Sequence, residues 1–179
     1  MLSLLVHITL LFSLAHAKVK LTDDDFESLF AHNFVKKSFR FWQRAPTGGQ
    51  QQQQQQQQQQ GKLSDFIWDV ALARQADRWA QKCTNSRSTP TDRTNNSNKT
   101  VGQNVAISED IGDAVMTWAL ESMNYNATSD TCRQPGRCDS YKNLAQPGTV
   151  YLGCGQRKCG NITTGREKLF VCNYSAEEQ

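Results

Sequence analysis

Histidine is nearly absent from this 179-residue chain: His7, His16 and His32 are the whole set, and the first two fall in a segment that reads as a leader. One remaining imidazole excludes multi-histidine zinc sites and leaves little for Cys/His or Ser/His nucleophilic chemistry. Basic charge is not concentrated. Twenty Lys and Arg against seventeen Asp and Glu give a net charge of +3, without a Lys/Arg block. That is a statement about solubility, not the footprint of a nucleic-acid binder. After residue 17 no apolar run is long enough to span a bilayer, and no lipid-anchor tail is visible.

What is present begins with the leader. Residues 1–17 carry an apolar stretch, Leu2 to Leu14, ending in Ala15-His16-Ala17, a small-x-small cleavage pattern. We expect a signal peptide over 1–17, and a single domain over 18–179. Six cysteines behind a leader predict a secreted, disulfide-stapled scaffold, with the connectivity left open by the count. Sequons at Asn95, Asn98, Asn126, Asn161 and Asn173 agree with secretion. Asn173 follows a cysteine in an apolar strand and is expected to be buried, leaving Asn95, Asn98, Asn126 and Asn161 as glycosylation candidates.

Periodicity gives three helices. The first is expected over 23–39, with Thr22 as N-cap and Asp23, Asp24 and Asp25 complementing the helix dipole. Phe26, Leu29, Phe30 and Phe34 follow helical spacing and are expected to fill the core, with His32 off the centre of that face. A second helix is expected over 65–82, capped by Ser64, with Leu72, Ala76, Trp79, Ala80 and Cys83 on one face. A third is expected over 111–124. Between the first two, residues 46–61 hold eleven consecutive glutamines, Gln50 to Gln60. Such a tract buries too little apolar surface to offset its ordering entropy and reads as a disordered insert. Residues 150–155 and 168–174 read as strands. Helices first and strands last give an α+β chain.

The strands carry the most specific residues. Gly153-Cys154-Gly155 and Val171-Cys172-Asn173-Tyr174 resemble the closing signature of the CAP superfamily of cysteine-rich secretory, venom allergen-like and pathogenesis-related proteins. His32-Asn33 with Lys36 resembles its first-helix HNxxR pattern. Trp68-Asp69, Leu72-Ala73, Ala76, Trp79-Ala80 and Cys83 resemble its second helix. Gly102-Gln103-Asn104-Val105-Ala106 resembles its GENLA segment, and Trp118, Glu121 and Tyr125 its WYxExxxY segment. The matches run in order from Asp23 to Tyr174. The resemblance implies a three-layer α-β-α sandwich with bridges Cys83–Cys159, Cys132–Cys138 and Cys154–Cys172, so that no thiol is left as a nucleophile.

Many members of that superfamily carry a cleft tetrad of two His and two Glu that can hold a divalent cation. By resemblance its four positions fall on Arg87, Gln103, Glu121 and Ser140, so only Glu121 keeps its identity. One carboxylate, two neutral polar groups and a guanidinium do not make a zinc site, and Arg87 repels a cation. We therefore expect a degenerate tetrad with no metal, no cofactor and no catalytic residue, and an Arg87–Glu121 ion pair in place of the ion. No nucleophile-elbow pattern supports a serine hydrolase around His32; that residue is expected to hold helix one by a hydrogen bond.

Two readings of function follow. In the first, the resemblance implies lipid binding, through a loop for sterols or between helices for fatty acids. The corresponding loop, 125–138, has one aromatic, Tyr125, too little for a sterol. Phe30 and Phe34 on helix one leave a fatty-acid channel as the stronger version. In the second, the protein is an extracellular effector, an immune-modulating ligand recognised by a receptor through its surface. Oligomeric state is not readable from the chain.

Overall fold

The computed structural model describes residues 20–44, with side chains through residue 39, and residues 63–179. The expected leader over 1–17 and the glutamine tract within 46–61 lie outside the described residues. No helix among the described residues is long and apolar enough to cross a membrane.

Helix α1 spans Asp23–Arg44. It opens on a reciprocal cap: the Asp25 amide donates to Thr22 Oγ1 at 3.2 Å and the Thr22 amide donates to Asp25 Oδ2 at 2.9 Å. Its buried side differs from the expected one. Ser28, His32, Val35 and Lys36 face inward, while Phe26, Phe30 and Phe34 stand 60%, 62% and 59% exposed. The phenylalanines do not fill the core; they form a ladder on the opposite side, ring centroids 6.3 and 6.4 Å apart. Buried polar groups are tolerated where each has a partner. Here Lys36 Nζ donates to Thr149 O at 2.7 Å and lies 3.6 Å from the centre of the Phe66 ring.

Residues 63–66 bring the chain back against helix α1. Asn33 clamps it by donating to Phe66 O at 3.2 Å and accepting from the Phe66 amide at 2.6 Å. Strand β1, Ile67–Trp68, pairs in parallel with β5, Tyr151–Arg157. Because Ile67 and Trp68 are spent on the sheet, helix α2 begins later than the periodicity predicts, over Val70–Ala80. Its cap is Asp69 rather than Ser64: Asp69 Oδ1 accepts from the Leu72 amide at 2.9 Å.

A 3-10 turn, Pro90–Arg93, strand β2, Gly102–Ser108, helix α3, Ile111–Leu120, and a second 3-10 turn, Glu121–Asn124, follow. A two-stranded ribbon, β3 (Tyr125–Asn126) with β4 (Thr131–Cys132), leads into helix α4, Asp139–Ala145. Strand β6, Lys168–Ser175, closes the fold. The main sheet runs β1-β5-β6-β2, with β5-β6 and β6-β2 antiparallel.

Three layers result. On one face α2 packs on β5 and β6, burying Ala76, Ala80, Leu169 and Val171. On the other, α1, α3 and α4 cover the sheet around Val115, Trp118, Leu144, Leu152 and Phe170. Two glycines let α2 approach. A Cβ on Gly153 would lie 2.1 Å from the Ala73 nitrogen, and one on Gly155 2.4 Å from Asp77 Cα. Bridges join Cys83 to Cys159, Cys132 to Cys138 and Cys154 to Cys172. The first ties the end of α2 to the loop after β5. Each contributes about 2–4 kcal/mol, mainly by restricting the unfolded chain.

Candidate functional site

Two concave features flank helices α3 and α4: the cleft where the tetrad positions converge, and an apolar groove between helices.

In the cleft, Arg87 does not take Glu121 as its ion partner. Arg87 Nη1 pairs with Asp139 Oδ2 at 3.1 Å, and Nη2 donates to Ser140 Oγ at 3.0 Å. Glu121 serves a different purpose. Its Oε2 accepts from the Ser140 amide at 2.8 Å and the Tyr141 amide at 3.3 Å, capping the first turn of α4. Gln103 is consumed at both ends: Oε1 accepts from the Ser88 amide at 2.7 Å and Nε2 donates to Asn173 Oδ1 at 2.9 Å. Arg93 lies close by, donating to Ser88 O and Val101 O. Burial and the neighbouring Arg87 charge lower its pKa.

The four tetrad positions therefore come together, but as a hydrogen-bonded lock. A divalent cation needs several free carboxylate, imidazole or thiolate ligands. Here Glu121 caps a helix, the Asp139 carboxylate is paired with the Arg87 guanidinium, and the Gln103 carboxamide is hydrogen-bonded at both ends. The residues do not fit a metal. The cluster of His32, Cys154 and Cys172, whose ligand atoms lie within 4.8 Å of one another, does not fit one either, because both sulfurs are bonded to each other.

Beneath the cleft runs a directional chain of hydrogen bonds. His32 is fully buried. Its Nδ1 lies 2.7 Å from Ser28 O, which can only accept, so Nδ1 carries the proton. Nε2 then accepts from the Tyr174 hydroxyl at 2.8 Å. The Tyr174 oxygen in turn accepts from Asn104 Nδ2 at 3.2 Å, and Asn104 Oδ1 accepts from Asn143 Nδ2 at 2.8 Å. Burial holds the His32 pKa down at about 4, with the Lys36 charge acting in the same direction against the Ser28 bond. Burial also pushes the Tyr174 hydroxyl well above its usual range. This chain joins α1, β2, α4 and β6 and leaves no base beside an open nucleophile.

The groove lies between α1 and α3. It has a volume of about 570 Å³ and is lined by Phe34, Val35, Phe39, Met116, Leu120 and Tyr141, among others. Phe39 and Tyr141 meet edge-on, centroids 5.2 Å apart, and Tyr125 packs on Tyr141 at the same separation. Of the three lipid-contact candidates, Phe34 lines the groove, Phe30 stacks on Phe34 outside it, and Tyr125 stands behind Tyr141. The Tyr125 hydroxyl donates to Asp130 Oδ1 at 2.9 Å; burial, with that acidic partner, pushes its pKa up to about 12. Met116 and Leu120, four residues apart on α3, were missing from the expected site. Their spacing is the signal for a second stripe beside Val115 and Trp118.

The glycosylation candidates separate by exposure. Asn98, Asn126 and Asn161 are exposed, Asn95 is half-buried, and Asn173 is fully buried.

Comparison with known proteins supports the same architecture. Over 119 residues the chain is 28% identical to mouse GLIPR1-like protein 1, an alignment covering 63% of this chain and 50% of that one. Over 114 residues it is 34% identical to a cysteine-rich venom protein of Conus textile, covering 60% and 34%. The chain thus spans half or less of these relatives. Among solved structures, venom allergen-like protein 4 of Schistosoma mansoni superposes with a TM-score of 0.65 at 26% identity, covering 88% of this chain and 94% of that one. The profile of the cysteine-rich secretory protein family, CAP, matches residues 32–174, and the chain belongs to that family.

Proposed function

We propose that this is a secreted, non-enzymatic CAP protein that carries a fatty acyl chain in the groove between α1 and α3. The carrying observation is the groove itself: about 570 Å³, within the range of ligand-sized sites, walled by aliphatic and aromatic side chains. Ser38, Ser122 and Tyr141 are the hydroxyl-bearing residues of its lining; Ser38 Oγ donates to Phe34 O at 3.0 Å, which leaves Ser122 and Tyr141 to orient one head group. The Tyr141 phenol is protonated at neutral pH, as an ordinary tyrosine is, and burial raises its pKa further, so it can donate a hydrogen bond to a carboxylate.

A fatty acid fits better than a sterol. The loop over 125–138 is held by the Cys132–Cys138 bridge, and its one aromatic, Tyr125, is turned against Tyr141. Hydrolytic chemistry is disfavoured because the cleft side chains bond to one another. The disulfides and the leader-like residues 1–17 support secretion.

The test is lipid extraction and mass spectrometry on protein secreted from eukaryotic cells, followed by titration of the delipidated sample with a fluorescent fatty acid. One saturable site at micromolar concentration is expected. A delipidated protein that takes up neither fatty acid nor sterol would move the function to a receptor-binding effector acting through its surface.

A further inference from the structure

The Phe26, Phe30 and Phe34 ladder has no part in the core and only its last ring touches the groove. A helix of a water-soluble domain normally turns its polar side outward, yet here the outward side of α1 presents three stacked aromatic rings, each about three-fifths exposed. Across the groove, α3 and the turn after it expose Met116, Leu120 and Met123 at 47%, 53% and 72%. Contiguous exposed apolar surface of this kind marks a docking face.

We propose that this face seats the protein on a zwitterionic phospholipid surface, with Phe26 and Phe30 entering the interfacial layer and Phe34 linking that layer to the groove. The inference rests on the acyl-carrier reading and names where the cargo is exchanged. Two observations favour a lipid surface as occupant. The ladder is continuous with the groove, since Phe34 belongs to both. Its charge setting is acidic on balance, with Asp23, Asp24 and Glu27 exposed at the N-terminal end and Lys37 exposed at the other, where it lies 3.9 Å from Asp65, which disfavours an anionic bilayer and leaves a neutral one. A helix with aromatic rings along one side can lie in the plane of the membrane interface.

The test is co-sedimentation with large unilamellar vesicles of phosphatidylcholine, using the secreted protein and the double variant Phe26→Ser, Phe30→Ser. Both side chains are exposed and outside the groove, so thermal melting should be unchanged. The expected result is partition of the parent protein and a loss of about tenfold or more in the variant. Uptake of free fatty acid from vesicle-free solution should be the same in both. Partition of the variant within about twofold of the parent, or no partition of the parent, overturns the proposal. A dimer in sedimentation equilibrium that the double variant abolishes also overturns it, by assigning the face to a second copy. Vesicle partition that survives alongside absent fatty-acid uptake would instead sink the groove reading and leave the docking face standing.

Discussion

Arg87 and Asp139 form an ion pair at 3.1 Å in the centre of the cleft, and this pairing decides what the cleft can do. The guanidinium also holds Ser140 at 3.0 Å, fixing the start of α4 against the loop after α2. A cation entering here would meet a positive charge and a carboxylate already engaged.

The first prediction concerns metal. Isothermal titration with Zn²⁺ or Ca²⁺ should show no saturable binding at micromolar concentration, in wild type and in Gln103→Glu alike, because one added carboxylate leaves Arg87 in place. Stoichiometric binding to the wild-type protein would contradict the account of the cleft.

The role of Glu121 is separable from metal chemistry. Glu121→Ala removes the acceptor for two amides at the start of α4 and should lower stability by about 1 kcal/mol. Urea unfolding with unchanged m-value is the check. An unaltered midpoint would mean that the cap contributes nothing.

Gly153 is the tightest contact between α2 and the sheet. Gly153→Ala places a methyl carbon on the α2 backbone, which cannot move as a flexible side chain would. A loss of about 3 kcal/mol or more, or failure to secrete, is expected. Gly160→Ala, with nothing within 4 Å, serves as the neutral control in the same melting series.

The hydrogen-bond chain through His32 predicts a pH dependence with a definite sign. The folded-state pKa lies near 4 against 6.5 unfolded, so the folded state binds fewer protons between those values. Stability is full above pH 6.5 and declines as pH falls towards 4, by about 3 kcal/mol in total. Protonated Nε2 would have to donate to a Tyr174 oxygen that must then reverse its own bond. His32→Gln should be less stable at neutral pH and show a flatter profile over this window. Equal slopes in the two proteins would remove His32 as the cause.

Glycan occupancy should follow exposure. Asn98, Asn126 and Asn161 should be modified in a eukaryotic host and Asn173 should not. Asn95 should be modified least of the exposed-loop pair, because its Oδ1 accepts from the Ser97 and Lys99 amides and its Nδ2 donates to Glu177. Site-by-site mass spectrometry after enzymatic deglycosylation reads this directly, and a fully occupied Asn173 would contradict the buried placement.

The closing strands and the third helix were legible in local signals, whereas the three-layer arrangement and the cysteine pairing came from the family resemblance. Glycine and cysteine alternate along β5, apolar residues run through β6, and the third helix carries Val115, Trp118 and Ala119 at helical spacing. The inner face of α1 was not legible. Periodicity ranks side chains by hydrophobicity, and Phe26, Phe30 and Phe34 outrank Ser28, His32 and Lys36. The polar three go inside because Tyr174 and Thr149, far along the chain, supply partners for His32 and Lys36. Partners at such separation leave no mark in a local pattern. Strand β1 escaped for the same reason: its two residues are strand only because Val150 O accepts from the Ile67 amide and Leu152 O accepts from the Asp69 amide just after it. In the cleft, the four tetrad positions were found by resemblance, whereas Asp139 as the partner of Arg87 required the geometry of α4.

The most direct measurement is titration of delipidated wild-type protein and Leu120→Arg with a fluorescent fatty acid. Leu120 is exposed at the rim of the groove, so the variant should fold normally while placing a charge where the acyl chain enters. Saturable uptake by the wild type and at least about a tenfold loss in Leu120→Arg are predicted. Equal affinity in the two proteins would contradict an acyl chain between α1 and α3.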